Sequence, residues 1–210
     1  DAGRTHFNRG EYESTVRTAE RALQLAPDNA EALQLRQQAQ DALAARKRKE
    51  QVVALLADAR KHSDSRDFEA CYRAASEALT LEPEHAELKA LHEQSGRILE
   101  TRRQTQILLE RARQQWQAED FPRVLETAIS ILNLDSENAK AADFKLKAEQ
   151  EIARRQRLKD LLNQARNADK GKDFEGCLKA AEAGLALDSA HPELQRLQSR
   201  SKQMLEQIRR

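Results

Sequence analysis

Four segments of this chain repeat one pattern without internal gaps. They cover residues 10–29, 66–85, 119–138 and 172–191. Each segment carries an aromatic anchor near its start, and the anchors are 56, 53 and 53 residues apart: Tyr12, Phe68, Phe121 and Phe174. A small residue follows each anchor at the same spacing: Ala19, Ala75, Ala128 and Ala181. A fixed period of this length is typical of arrays in which one supersecondary unit packs only against its neighbours.

Apolar residues inside each unit follow the spacing of helices. In the second unit Val52, Leu55, Leu56 and Ala59 lie on one face, and a second run begins at Phe68. Residues 86–118 contain no proline and keep one 3–4 phase, which predicts a single long helix. We therefore predict an all-α tandem helical repeat, an elongated α-solenoid whose long helices are shared between consecutive three-helix packing units. A compact superhelix satisfies the same periodicity and remains open.

The period divides the chain into four repeat units. Their predicted bounds are 1–46, 47–101, 102–154 and 155–210, and the first helix of the first unit is truncated. Because the chain starts in the middle of a repeat, we expect it to be part of a longer protein.

The charge balance argues against a purely electrostatic function. The 36 basic side chains face 35 acidic ones, so the net charge is +1 and gives no general attraction to nucleic acid or anionic membranes. Aromatic residues make up only 4% of the chain, which suits thin helix–helix seams better than a large globular core. No apolar run has the length of a membrane span and no signal peptide is visible. We expect a cytoplasmic protein.

Acidic residues stand just before the anchors and predict helix starts. Asp67, Asp120, Asp173 and Glu11 can each accept hydrogen bonds from the first free amides of the following helix. Farther along, Ser136 and Ser189 take the place of a proline and are candidates to cap the next helix.

The two cysteines occupy one repeat position. Cys71 and Cys177 are 106 residues apart, and Thr15 and Val124 fill the same place in the other units. A small residue facing a helix seam explains all four, so we expect buried thiols rather than a disulfide.

These units resemble tetratricopeptide repeats. The resemblance rests on the acidic residue and aromatic anchor, the small residue seven positions later, and the Ala-Leu pairs Ala22-Leu23 and Ala78-Leu79. Ala59, Ala112 and Ala165 match the close-contact site of the family's first helix. The period exceeds the family's repeat of about 34 residues, the usual glycine before the acidic residue survives only as Gly10, and Ile131 and Gly184 replace an expected alanine. Lengthened repeats similar to these occur in large bacterial regulatory proteins, including non-catalytic segments of Ser/Thr kinases.

One arginine recurs eight residues before the anchor in every unit: Arg4, Arg60, Arg113 and Arg166. The resemblance implies that this position faces a ligand groove, where a guanidinium binds carboxylates or phosphates in bidentate fashion. The alternative is an intramolecular ion pair with Asp67, Asp120 and Asp173, which lie seven residues further along in their units and can be reached across the turn.

Two further features are candidates for partner binding. Trp116, the only tryptophan, either fills a gap in the third unit or anchors a partner. Basic residues recur in the middle of the long helices and either bind polyanions or form a solvated helix face, which we favour because no aromatic residues interleave with them. They are residues 46–49, Arg102, Arg103, Arg154, Arg155 and Arg157.

The sequence contains no recognisable catalytic, metal-binding or phosphate-binding motif. The five histidines show no metal-ligand spacing, and no phosphate-binding glycine loop or nucleophile–histidine arrangement is present. We therefore expect no cofactor, no metal and no enzymatic activity. The main hypothesis is a protein–protein interaction or scaffold segment that docks a protein or peptide, with acidic or phosphorylated segments as the candidate ligands. The alternatives are a structural spacer that self-associates through its chain ends, and electrostatic binding of nucleic acid or anionic membrane through the basic helix midsections.

Overall fold

The computed structural model describes residues 2–209, and all nine elements assigned in that range are α-helices. They are α1 (Ala2–Asn8), α2 (Tyr12–Leu25), α3 (Ala30–Asp64), α4 (Phe68–Leu81), α5 (Ala86–Gln117), α6 (Phe121–Leu134), α7 (Ala139–Lys170), α8 (Phe174–Leu187) and α9 (Pro192–Arg209). Short helices of 14 residues therefore alternate with long ones. This confirms the predicted all-α tandem helical repeat.

The chain forms two compact units, Asp1–Glu100 and Thr101–Arg210. In the first, α3 packs against α2 and α4. In the second, α7 packs against α6 and α8, and α8 also packs against α9. Helix α5 contributes residues 86–100 to the first unit and residues 101–117 to the second.

Each long helix is continuous, as the unbroken apolar phase predicts. Helix α3 has 35 residues, whereas α5 and α7 have 32 each. Within α3 the buried residues fall into two groups, Ala32 and Ala39 near the start and Val52 and Ala59 near the end. Residues 44–51 between them are all exposed. One helix therefore serves two packing sites, and its polar middle belongs to neither.

Small side chains form the seams between helices. One buried cluster in the first unit contains Val52, Ala59, Cys71, Ala75, Ala78 and Leu88, and one in the second contains Ala165, Cys177, Ala180, Ala181, Leu194 and Leu197. A further cluster in the second unit contains Phe121, Val124 and Ala148. Both cysteines are buried free thiols, and Thr15 and Val124 are fully buried at the equivalent position. The prediction of a small seam residue is confirmed at all four places.

Helix starts are capped by side chains, but not always by the predicted ones. Asp67, Asp120 and Asp173 accept hydrogen bonds from the backbone N–H groups of Ala70, Arg123 and Gly176, as predicted. The Glu11 prediction is wrong: its side chain makes no capping bond and lies 2.6 Å from Nδ1 of His6 instead.

The serine caps are also wrong, because the long helices begin two residues later than these serines require. The capping position is held by Asn29 and Asn138, whose side-chain oxygens accept from Ala32 N–H and Ala141 N–H. In the other two repeats a histidine takes this position. Nδ1 of His85 accepts from Leu88 N–H, and Nδ1 of His191 accepts from Leu194 N–H. A histidine can accept this bond only when Nδ1 carries no proton.

The residue before each of Glu11, Asp67, Asp120 and Asp173 has a left-handed backbone. Its φ is +74° at Gly10, +60° at Arg66, +55° at Glu119 and +61° at Lys172. At the second of these turns the N–H of Asp67 donates to the carbonyl of His62, and that of Arg66 donates to the carbonyl of Ser63. This pair of bonds is the Schellman motif, which glycine normally completes. In three repeats a non-glycine residue therefore adopts the left-handed conformation that glycine normally provides in this turn.

Glycine at these turns is expected to stabilise the protein. Arg66→Gly and Lys172→Gly should each raise the free energy of unfolding by about 0.5–1 kcal/mol, because relief of left-handed strain exceeds the entropy that glycine adds to the unfolded chain. Urea denaturation followed by circular dichroism measures the change. Glu119→Gly is the matched control and should gain less, because the Glu119 carboxylate forms an ion pair with Arg155. Lower stability of both main variants would show that the turn is not strained.

Candidate functional site

The repeated arginine projects from the end of a long helix toward the first turn of the next one. In the first compact unit, Arg60 on α3 donates from Nε to Oε1 of Glu87 at 2.5 Å and from Nη2 to Oε2 at 2.6 Å. Glu87 lies in the first turn of α5. The contact is a bidentate fork between two half-exposed side chains, the geometry that a guanidinium and a carboxylate favour.

The same pair forms in two other repeats. Arg166 on α7 donates to both carboxylate oxygens of Glu193 at 2.7 and 2.5 Å, and Arg4 on α1 lies 3.0 Å from Glu31. Each glutamate follows its arginine by 27 residues and lies in the first turn of a helix, where the helix dipole also favours a negative charge. These three arginines are therefore held by carboxylates of the chain itself.

Arg113 differs from the other three. Its Nη1 lies 3.5 Å from the carboxylate of Glu110, three residues earlier on its own helix α5, and this is a single, long contact. Position 140, which corresponds to Glu87 and Glu193, is a lysine. The four arginines are thus equivalent in sequence but not in their surroundings.

The aspartates proposed as alternative partners do not bind these arginines. Asp67 and Asp173 cap α4 and α8 through backbone N–H groups, and Asp120 also pairs with Arg123 at 3.4 Å. The intramolecular alternative was right in kind for Arg4, Arg60 and Arg166 but wrong in its partner. A signal was present in the sequence, because three of the four units carry glutamate 19 residues after the anchor.

The ion pairs shift the acidity of their members. The hydrogen bond from Arg60 lowers the pKa of Glu87 below its ordinary value of 4.5, and Arg166 does the same to the pKa of Glu193. The reciprocal bonds raise the pKa of both arginines. In each case the charged form of the carboxyl is the one that the fold holds.

Acid should therefore remove the contribution of these pairs. Because the carboxyl pKa values are lower in the folded protein than in the unfolded chain, the pairs stabilise the fold above pH 4.5, and this is lost as pH falls through the lowered values. The double variant Glu87→Gln/Glu193→Gln should be less stable than the parent in urea at about pH 7, and the difference should shrink as pH falls below 4.5. A difference that persists unchanged at the lower pH would contradict this origin.

Trp116 packs within its own repeat. Its ring meets Phe121 edge-on with centroids 4.9 Å apart and lies 6.4 Å from the ring of Phe144. In the first repeat Phe7 meets Tyr12 edge-on in the same way, at 5.5 Å. The packing interpretation of Trp116 accounts for these contacts, and an additional role in binding a partner stays a prediction.

Several arginines of the basic helix midsections make intramolecular contacts. Arg46 pairs with Glu50 at 2.9 Å within the exposed middle of α3. In α7, Arg154 donates to the carbonyl of Leu187 at 3.1 Å, and Arg155 lies over the ring of Phe121 at 4.4 Å while pairing with Glu119. At least two of the α7 arginines thus interact with other parts of the chain, so fewer cationic groups of this segment are available to bind a polyanion.

Other features of the surface are open grooves and scattered charges. A groove of about 450 Å³ lies between α2 and α3, lined by Glu13, Val16, Arg17, Gln40, Leu43, Ala44 and Lys47. Within residues 2–209, no group of three or more His, Cys, Asp and Glu side chains is arranged to hold a metal ion. In the same range, no helix combines the length and apolarity needed to cross a membrane.

Comparison of the sequence with models of known protein families gives no match, and comparison with curated proteins gives none either. The geometry of the repeats is therefore the basis for any functional conclusion.

Proposed function

We propose that this chain is a non-catalytic protein–protein interaction or scaffold segment of a larger protein, in which tetratricopeptide-like units present helix faces to a protein partner. A lengthened repeat of the kind found in large bacterial regulatory proteins is the family that we propose. The fully buried Ala59, Ala112 and Ala165 support it, because that family brings its helices together at a small residue in this position.

The observation that carries the proposal is an exposed arginine that contacts a carboxylate 27 residues later in the chain in three of the four repeats. Arg60 and Arg166 hold a carboxylate in bidentate fashion, and Arg4 holds one through a single contact. The internal glutamates occupy these three positions. Arg113 is therefore the arginine available to bind an acidic segment, because Lys140 stands where the other repeats have the internal glutamate.

The test is affinity capture with an internal competitor. The immobilised chain is incubated with lysate of the source organism, with and without excess free chain, and bound proteins are quantified by mass spectrometry. The proposal expects at least one protein whose capture is saturable and is competed away by the free chain.

The alternatives give different results in the same experiment. A spacer that self-associates captures no competed partner, and its mass in solution rises with its concentration. Electrostatic binding recovers nucleic acid or nucleic-acid-binding proteins, and the recovery falls steeply with salt. Either result in place of a competed protein partner would refute the proposed function.

A further inference from the structure

The third repeat reverses one charge that the other three share. The residue 19 positions after the aromatic anchor is Glu31, Glu87 and Glu193 in the first, second and fourth repeats, and Lys140 in the third. In the three acidic cases this residue binds the repeated arginine of the same repeat. In the third repeat two cations, Arg113 and Lys140, take the corresponding places.

Neither cation of the third repeat has a strong internal partner. Arg113 has the single 3.5 Å contact with Glu110, whereas Arg60 and Arg166 each make two contacts of 2.5–2.7 Å. Lys140 is exposed and makes no ion pair with any residue in 2–209. The next acidic residue along α7, Asp143, is held by Lys147 at 2.7 Å.

The first turn of α7 adds positive potential at the same place. It has the sequence Ala-Lys-Ala-Ala, whereas α3, α5 and α9 each carry a glutamate in their first turn. A helix N-terminus carries a partial positive charge, which favours an anion and disfavours a lysine. By the equivalence of the repeats, Arg113 and Lys140 stand where Arg60 and Glu87 form an ion pair, so the third repeat has two like charges in place of two opposite ones.

The other repeats indicate what that anion is. In the second and fourth repeats a side-chain carboxylate sits in the fork of the arginine, so the arginine position is already suited to a planar oxyanion. We propose that Arg113 and Lys140 form a docking site for an oxyanion on the side chain of a partner protein, namely the carboxylate of an acidic segment, which takes the place of the missing internal glutamate. This rests on the proposed function, since it assumes that the chain binds a protein.

Glu110, Glu137 and Asp143 each lie three residues from Arg113 or Lys140 in the sequence, and Glu110 is the internal competitor. It contacts Arg113 weakly and has no acidic counterpart in the second or fourth repeat, where Ala57 and Asn163 stand at that position. Glu110→Gln should therefore strengthen binding of an acidic ligand.

The test uses two charge exchanges and a defined probe. Binding of a fluorescein-labelled hexaglutamate peptide to the full chain is measured by fluorescence anisotropy at low salt. Lys140→Glu rebuilds the internal pair of the other repeats and should weaken binding about fivefold or more, the order expected when charge-assisted hydrogen bonds are lost. Glu87→Lys is the converse variant and should create a second site around Arg60. Circular dichroism confirms that both variants keep the parent helicity.

Three results would overturn the inference: equal binding by the parent and Lys140→Glu, no added binding by Glu87→Lys, or weaker binding by Glu110→Gln. A phosphoserine peptide of equal length and inorganic phosphate are the comparison ligands. If they bind in preference to hexaglutamate, the ligand is a phosphoryl group and not a carboxylate.

The capture experiment with Lys140→Glu separates this inference from the proposed function. A partner that is competed away from the parent and binds Lys140→Glu equally well leaves the proposed function intact and refutes the site. Absence of any competed partner refutes the proposed function, while the peptide titration still decides whether the site exists.

Discussion

Replacing Leu194 by alanine is expected to lower the free energy of unfolding by about 2–5 kcal/mol, the range for a buried leucine that leaves a cavity. Leu194 has no exposed surface and belongs to the core between α7, α8 and α9. A Cβ atom built on Gly184 would lie 2.6 Å from its Cδ1, so this leucine fills the space that the glycine leaves. Urea denaturation followed by circular dichroism measures the loss.

Leu25→Ala is the control for this prediction. Leu25 is 90% exposed, so its truncation should change stability by no more than about 0.5 kcal/mol. The equivalents of Gly184 and Leu194 in the first repeat are Ala22 and Ala32, which line a cavity of about 280 Å³. Because Ala22 carries the Cβ that Gly184 lacks, Ala32→Leu should destabilise the protein unless Ala22→Gly accompanies it. Equal effects of Leu194→Ala and Leu25→Ala would show that Leu194 is not a core residue.

Replacing Trp116 by alanine is expected to lower the free energy of unfolding by about 2–3 kcal/mol, somewhat less than for a fully buried tryptophan because the ring is only half-buried. The loss has two sources, the apolar area of the ring and its edge-on contact with Phe121. Trp116→Phe keeps an aromatic edge and should lose about 1 kcal/mol or less. Thermal and urea denaturation of the two variants test whether Trp116→Ala loses more stability than Trp116→Phe.

The outcome distinguishes the two interpretations of this residue. If Trp116→Ala is as stable as the parent but loses a captured partner, the ring serves binding and not packing. If stability falls as expected and Trp116→Phe restores it, packing within the third repeat accounts for the residue.

The fold followed from the sequence wherever the pattern was local and repeated. The aromatic anchors, the small seam residues and the unbroken phase of residues 86–118 predicted the short and long helices, because helical periodicity depends on neighbours along the chain. The aspartate caps at Asp67, Asp120 and Asp173 were predictable for the same reason. The cap predicted at Glu11 does not form, because its carboxylate contacts His6 in preference to the helix amides.

The candidate site followed from the sequence only in part. The arginines could be found, because they recur at a fixed distance from the anchor. Their glutamate partners lie 27 residues away on the next long helix, and nearness along the chain pointed instead to the aspartates of the caps. Comparison of the repeats shows from the sequence alone that Lys140 stands where Glu87 and Glu193 stand in other units. Only the structure shows that those glutamates pair with the repeated arginines.

By itself, the sequence determined that this protein is an all-α array of alternating short and long helices with narrow alanine-rich seams. The tertiary structure decided which side chains meet across those seams. It paired Arg60 with Glu87, Arg166 with Glu193 and Gly184 with Leu194. The physical reason is that periodicity fixes the face on which a residue lies, while the partner on the opposing face depends on how two helices approach each other. That approach is set by packing and not by local propensity.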